Sequence, residues 1–309
     1  ANPKGITISV SGLRPDVTGI FNFANHIREP GQPPIITTPQ QFREWGYTTL
    51  GGGKTFHYNL PPYWDDVMHG SWSTRLQPVK SDTFSICLLS VSPTRKASLL
   101  QYYPFWEYVG SSDFAYCPID GVAQKWPEGG ALTGQSADSA SYCVVNGSIA
   151  DEIYDYRLAT HTIATLQLAK REGRPFFVMA GFRRPHRDFL VHQQYWDLYP
   201  PAAEIATAKF PVRSKSQPLI AFHPAGFKLP NGTSYPGDPD NAWPVEIQQI
   251  ARKAYYTAIT QTDAQVGRVL DALDAIGHEK DTIVVVSAGE CRHRSLCVSL
   301  WSPPNPAGS

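Results

Sequence analysis

The chain has 309 residues, of which 42% are hydrophobic and 17% charged, with 27 Lys+Arg against 27 Asp+Glu. That apolar fraction excludes an intrinsically disordered chain, and a net charge of zero without a basic block argues against a nucleic-acid-binding role. No apolar run approaches the ~20 residues that a membrane-spanning helix needs.

Residues 1–36 are rich in Pro and Gly and read as loop. Residues 37–45 read as a short helix, with Thr38 as N-cap, Pro39 at the first helical position and Gly46 as the stop. Residues 47–51 read as a strand that runs into a glycine loop. Residues 58–148 carry few periodic signals and many Pro, Ser, Gly and aromatic residues. A structureless stretch of that length is unusual inside a compact domain, so it reads as a long functional loop or an insertion.

Regular structure returns at residues 149–172, a helix with Ile153, Tyr156, Ala159, Ile163 and Leu166 at three- and four-residue steps and Gly173 as the stop. Residues 175–182, Pro-Phe-Phe-Val-Met-Ala-Gly-Phe, form a continuous apolar run, the pattern of a strand buried on both faces. The strongest helix spans 244–277, with Ile247, Ile250, Ala254, Ala258, Val266, Val269, Leu270 and Leu273 on one face. Residues 281–287 read as a second buried strand. Residues 288–309 show no periodicity and read as a tail outside the fold. Helices alternating with apolar strands predict an α/β/α sandwich around a mostly parallel central sheet, truncated at both ends of this chain. In such sheets ligands sit beyond the carboxyl ends of the strands, so chemistry is sought after residues 51, 182 and 287.

After the first strand comes Gly51-Gly-Gly-Lys54-Thr-Phe-His57. The glycines let the backbone approach a ligand, Lys54 supplies positive charge and His57 can donate a proton to a leaving oxygen. On spacing alone, a glycine turn with a solvated Lys and a satisfied His is the favoured reading. A phosphate loop fits poorly, because its first Gly is missing from the required position. After the second strand comes Gly181-Phe-Arg183-Arg184-Pro-His186-Arg-Asp. Three arginines and a histidine suit an anionic substrate, and a solvated basic loop explains them equally well. The third strand ends Ser287-Ala-Gly-Glu-Cys291-Arg-His293, which matches no metal or nucleophile spacing.

Five cysteines (Cys87, Cys117, Cys143, Cys291 and Cys297) leave at least one outside any pair within the chain. Cys117 and Cys143 flank a polar, Gly-rich loop and are candidates to bridge in an oxidising compartment. The sequons Asn146-Gly-Ser and Asn231-Gly-Thr point weakly the same way. The chain opens on Ala1 with no basic segment before an apolar one, so no signal peptide is read. The compartment stays open on these features.

Several segments together resemble a known family. Arg14-Pro-Asp-Val-Thr-Gly-Ile-Phe-Asn-Phe, Thr38-Pro-Gln-Gln-Phe-Arg-Glu-Trp-Gly-Tyr-Thr-Thr and Gly53-Lys-Thr-Phe-His57 occur in that order. Cys117-Pro-Ile-Asp, Pro175-Phe-Phe-Val-Met-Ala-Gly-Phe-Arg-Arg-Pro-His186 and Thr262-Asp-Ala-Gln-Val-Gly-Arg268 follow. Each motif is weak alone; in this order and spacing the set resembles the type I sulfatases of the alkaline-phosphatase-like superfamily, the iduronate-2-sulfatase branch most closely. The resemblance runs over residues 12–57, 115–121 and 150–287.

It implies hydrolysis of sulfate esters on sugars or glycosaminoglycans in a secreted or lysosomal setting. The family uses a formylglycine made within a Cys-x-Pro-Ser-Arg motif and one divalent cation, usually Ca²⁺, on Asp-rich strand ends. By matching motif positions, Lys54 would contact the sulfate, His57 would assist the formylglycine, and His186 would sit at the sulfate and the leaving-group oxygen. Arg183 and Arg184 would flank that site, and Arg184 would help to read an acidic sugar. The two aspartates and the Cys-x-Pro-Ser-Arg motif of the family do not occur before Arg14, and Ser92-Pro-Thr-Arg95 has Val91 at its nucleophile position. Where the family continues Ser-Asp-His-Gly, this chain has Ser287-Ala-Gly-Glu. The reading is therefore a sulfatase-type chain without metal ligands or nucleophile, and so inactive as written. A non-catalytic binder of sulfated glycans and a phosphoester or phosphonate hydrolase are the alternatives.

Overall fold

The computed structural model describes residues 11–21, 27–28, 31, 34–55, 71–73, 115–116, 124–125, 140–146, 153–222, 224–288 and 296–301. His57, Ser92, Cys117, Cys291 and His293, singled out above, lie outside them.

The first helix, α1 (Thr38–Glu44), has Thr37 as its N-cap, whose hydroxyl accepts the Gln40 N–H at 3.2 Å. The cap is one residue earlier than the sequence reading, so Pro39 takes the second helical position, where its missing N–H also costs nothing. Strand β1 (Thr48–Gly53) follows. Within the region read as loop or insertion, β2 (Tyr142–Val145) forms a strand. Cys143 on this strand is disulfide-bonded, and its partner's side chain is not among those described.

Helix α2 (Tyr154–Glu172) ends at Gly173, which takes φ 62° and donates its N–H to the Lys170 carbonyl. A residue in this left-handed conformation caps the helix, and Gly adopts it without a Cβ penalty. Strand β3 (Phe176–Gly181) is buried along its whole length. Then come β4 (Phe189–His192), helix α3 (Val245–Ala275), β5 (Ile283–Ala288) and β6 (Leu296–Trp301).

The central sheet has the order β1-β3-β6-β5. β1 and β3 are parallel, with Thr48 opposite Phe176 and Gly53 opposite Gly181. β6 runs antiparallel to both β3 and β5, so three of the four strands share one direction. β2 and β4 form a separate parallel pair.

The apolar run of β3 explains the layering. Phe176, Val178 and Ala180 face a core shared with Leu158 and Leu166 of α2 and Val269 and Leu273 of α3. Phe177 and Met179 face the opposite side, with Ile20, Ile35 and Trp72. Phe42 of α1 stacks on Phe177 at 4.4 Å between ring centroids. A strand whose alternate residues both meet apolar layers reads as a continuous hydrophobic run, as it does here.

Two readings of the sequence are corrected. Residues 281–287 read as a buried strand, yet in β5 Ile283, Val284, Val285 and Val286 are 48%, 38%, 46% and 54% exposed. The part of the presumed tail that is described, β6, is instead built into the sheet, with Val298 and Leu300 fully buried. Its aliphatic residues Leu296, Val298 and Leu300 alternate, but the apolar Cys297 and Trp301 blur the period-two signal. Because β6 takes the place beside β3, the apolar β5 stands at the edge of the sheet among the described strands.

An apolar edge strand is a template for intermolecular pairing, and an inserted Lys blocks it. Val286→Lys is expected to raise the concentration at which light scattering detects aggregates, with a melting temperature close to that of the parent chain. An unchanged aggregation threshold would show that β5 is not the sticking edge.

Candidate functional site

The site forms where the carboxyl ends of β1 and β3 meet. At Gly53 the backbone takes φ 75°. A Cβ there would collide with the Gly181 carbonyl oxygen and with the Leu158 side chain. A Cβ on Gly181 would in turn collide with the backbone of Lys54 and Thr55. Two facing glycines therefore let the strand ends approach where a side chain on either would clash. The Lys54 N–H donates to the Gly181 carbonyl at 2.6 Å, which extends the pairing one residue past β1.

From this closure the chain delivers Lys54 on one side and the loop of residues 182–188 on the other. Arg184 is among the largest fully buried side chains, and its Nη1 donates to the His186 carbonyl at 3.1 Å. The His186 N–H donates to the Arg183 carbonyl at 2.9 Å, closing a turn. The Arg184–Pro185 peptide bond is cis. The His186 Nδ1 faces the Arg187 carbonyl oxygen. A carbonyl accepts only, so Nδ1 carries the ring proton and Nε2 keeps its lone pair.

The electrostatics are those of crowded cations. Burial, with the nearby Arg183 charge second, lowers the Lys54 ammonium to about 7. Asp155 opposes that shift and Arg184 adds to it. Burial first, then the charges of Lys54 and Arg183, push His186 far below its usual range, so its imidazole is neutral. An incoming anion offsets the repulsion and favours the protonated forms, so binding takes up protons.

Sequence reasoning missed Asp155. It lies in the first turn of α2 and is fully buried. Its Oδ1 accepts the Arg183 N–H at 2.6 Å, and its Oδ2 accepts the Arg184 N–H at 2.9 Å. The Thr262 hydroxyl of α3 shares its proton between Asp155 Oδ2 at 3.3 Å and the Ala258 carbonyl at 3.0 Å. An acidic residue in the first turn of a helix, where the macrodipole favours it, was the one signal available.

Of the residues named from sequence, Lys54, Arg183, Arg184 and His186 come together here, and His57 lies outside the described residues. The divalent cation that the resemblance implies does not fit them. The surroundings are cationic, and the Asp155 oxygens face hydrogen-bond donors. Among the described residues no group of three His, Cys, Asp or Glu is arranged to hold a metal. No Cys-x-Pro-Ser-Arg motif occurs in the 309 residues.

The family model described as "Sulfatase" matches residues 18–294. Human iduronate 2-sulfatase is 26% identical over 293 residues, covering 90% of this chain and 44% of that protein. A protein described as "Sulfatase" from Formosa agariphila is 26% identical over 287 residues, covering 90% of this chain and 46% of that one. This chain thus spans under half the length of these relatives. Among solved structures, the phosphonate monoester hydrolase of Agrobacterium radiobacter superposes with a TM-score of 0.53 at 18% identity, covering 97% of this chain and 58% of that one. The likeness is one of fold.

Because the site depends on the two glycines, Gly181→Ala is expected to lower stability by about 1–3 kcal/mol, the usual cost of overpacking. Chemical denaturation measures it, and a cost near zero would mean that the strand ends do not need their close approach.

Proposed function

Because this chain belongs to the sulfatase family, we propose that the site between β1 and β3 binds the sulfate group of a sulfated sugar, in a hydrolase of sulfate esters resembling iduronate 2-sulfatase. The convergence of Lys54, Arg183, Arg184 and His186 on one pair of strand ends is the observation that supports it. Lys54 is the direct anion contact. The His186 Nε2 stands ready to take or hand on a proton at the ester oxygen once a bound anion has eased the local positive charge. Arg183 and Arg184 supply the surrounding positive field and favour sugars that carry a carboxylate. A secreted or lysosomal setting, where such glycans occur, fits the disulfide at Cys143.

Turnover needs a nucleophile that these 309 residues do not present in the family's motif. The chain by itself therefore binds sulfate esters without hydrolysing them. It is the recognition half of a sulfatase site.

Calorimetric titration with a sulfated uronate monosaccharide and with its desulfated counterpart tests this. Saturable binding of the sulfated sugar alone, lost in Lys54→Ala, is the expected result. Binding should weaken as pH rises through about 7, because Lys54 is charged below that value and neutral above it. One obligatory proton sets a limiting slope of roughly tenfold per pH unit. Equal binding of the two sugars, or steady release of sulfate by the chain, would contradict the proposal. Tighter binding of inorganic phosphate than of sulfate would redirect it to phosphoesters.

A further inference from the structure

We propose that Asp155 is the positioning residue of this site: its buried carboxylate grips two consecutive backbone N–H groups and fixes the loop that carries Arg183, Arg184 and His186 against Lys54. The inference rests on the anion-binding reading given above.

The geometry carries it. Asp155 reaches from the first turn of α2 to the residues that leave β3, 28 and 29 positions further along the chain. Each carboxylate oxygen takes one N–H, at 2.6 and 2.9 Å. Thr262, from the middle of α3, approaches the same carboxylate. Three separate elements are thus tied at one buried point, beside the strand-end closure made by Gly53 and Gly181. A carboxylate that accepts backbone N–H groups in a dry interior holds them more strongly than a neutral acceptor would. Leaving those donors without an acceptor is costly, so the loop cannot drift.

The same carboxylate has an electrostatic consequence that a purely structural tie would lack. The charged or titratable groups acting on Lys54 from the described elements are Arg183, Arg184 and His186 on the β3 loop and Asp155 on α2. Asp155 is the only anion among these four groups. Its charge favours the protonated ammonium, while the guanidinium groups oppose it. Removing the charge while keeping the shape should leave Lys54 cationic only at lower pH.

Asp155→Asn removes the charge and turns an amide donor toward one of the two backbone N–H groups, so it weakens the tie as well as the field. Sulfate ion is titrated calorimetrically into the full chain and into the variant between pH 5 and 8. At pH 7 the variant is expected to bind roughly tenfold more weakly, with the deficit narrowing without vanishing toward pH 5, where Lys54 is cationic in both chains. A profile that superposes on the parent's would overturn the proposal, as would a uniform loss at every pH in a variant that keeps its cooperative melting transition. If the parent chain itself binds no sulfate, the anion-binding reading fails instead, which is a different result. Should Asp155→Asn fail to fold, hydrogen exchange in the unsubstituted chain decides. The Arg183 and Arg184 amides should be protected like those inside β3, and exchange as fast as an open loop would overturn the tie.

Discussion

Beyond the last residues of β1 and β3 the two backbones are so close that neither Gly53 nor Gly181 has room for a side chain. The proposed anion site depends on that approach. It lets Lys54 donate its N–H to Gly181. It also places the lysine within electrostatic reach of the loop that follows β3. A methyl group on either glycine would force the strand ends apart. Lys54 would then stand further from the loop of Arg183, Arg184 and His186, and their mutual perturbation would weaken. The depressed Lys54 and the neutral His186 are the electrostatic signature of the closed arrangement.

Charge balance explains why such an arrangement is built around a single carboxylate. Two arginines and a lysine gathered in a poorly solvated corner repel one another and keep the neighbouring His186 imidazole neutral. Asp155 offsets part of that repulsion and uses its hydrogen-bonding capacity on the Arg183 and Arg184 backbone, so it constrains the loop that carries them. The remaining positive excess is what an anion would neutralise. A sulfate-binding pocket needs this surplus, whereas a hard divalent cation needs the reverse: several oxygen donors and a local excess of negative charge. Among the described residues the first requirement is met and the second is not. That contrast matches a chain of the sulfatase family that covers under half the length of its relatives.

Much of this was legible beforehand, for identifiable reasons. The strand β3 announced itself because six consecutive buried residues must all be apolar or small. Helices α2 and α3 follow from a 3.6-residue period sustained over several turns, with Gly173 marking the first one's end. The rule that ligands gather at the carboxyl ends of parallel strands directed attention to the ends of β1 and β3, while the grouping of Lys54 with Arg183, Arg184 and His186 came only from the family resemblance. Other features were hidden. β6 spans only six residues, too few for its alternation to stand out from the irregular tail around it. The apolar run of β5 is the same whether the strand lies inside a sheet or at its edge, so its exposure was beyond reach of pattern alone. Asp155 looked like an ordinary acid at a helix start, because its partners are backbone N–H groups that no side-chain pattern records. The facing glycines were visible as residues, but their collision geometry exists only once β1 and β3 are paired.

The central claim, that Lys54 and the β3 loop form one anion site, is tested most directly with selenate, a sulfate analogue with a strong anomalous signal. Crystals of the chain grown near pH 6 and soaked in selenate should show a selenium peak within hydrogen-bonding distance of the Lys54 ammonium and adjoining His186. A peak confined to other surfaces, with this corner empty at a selenate concentration that fills them, would contradict the account.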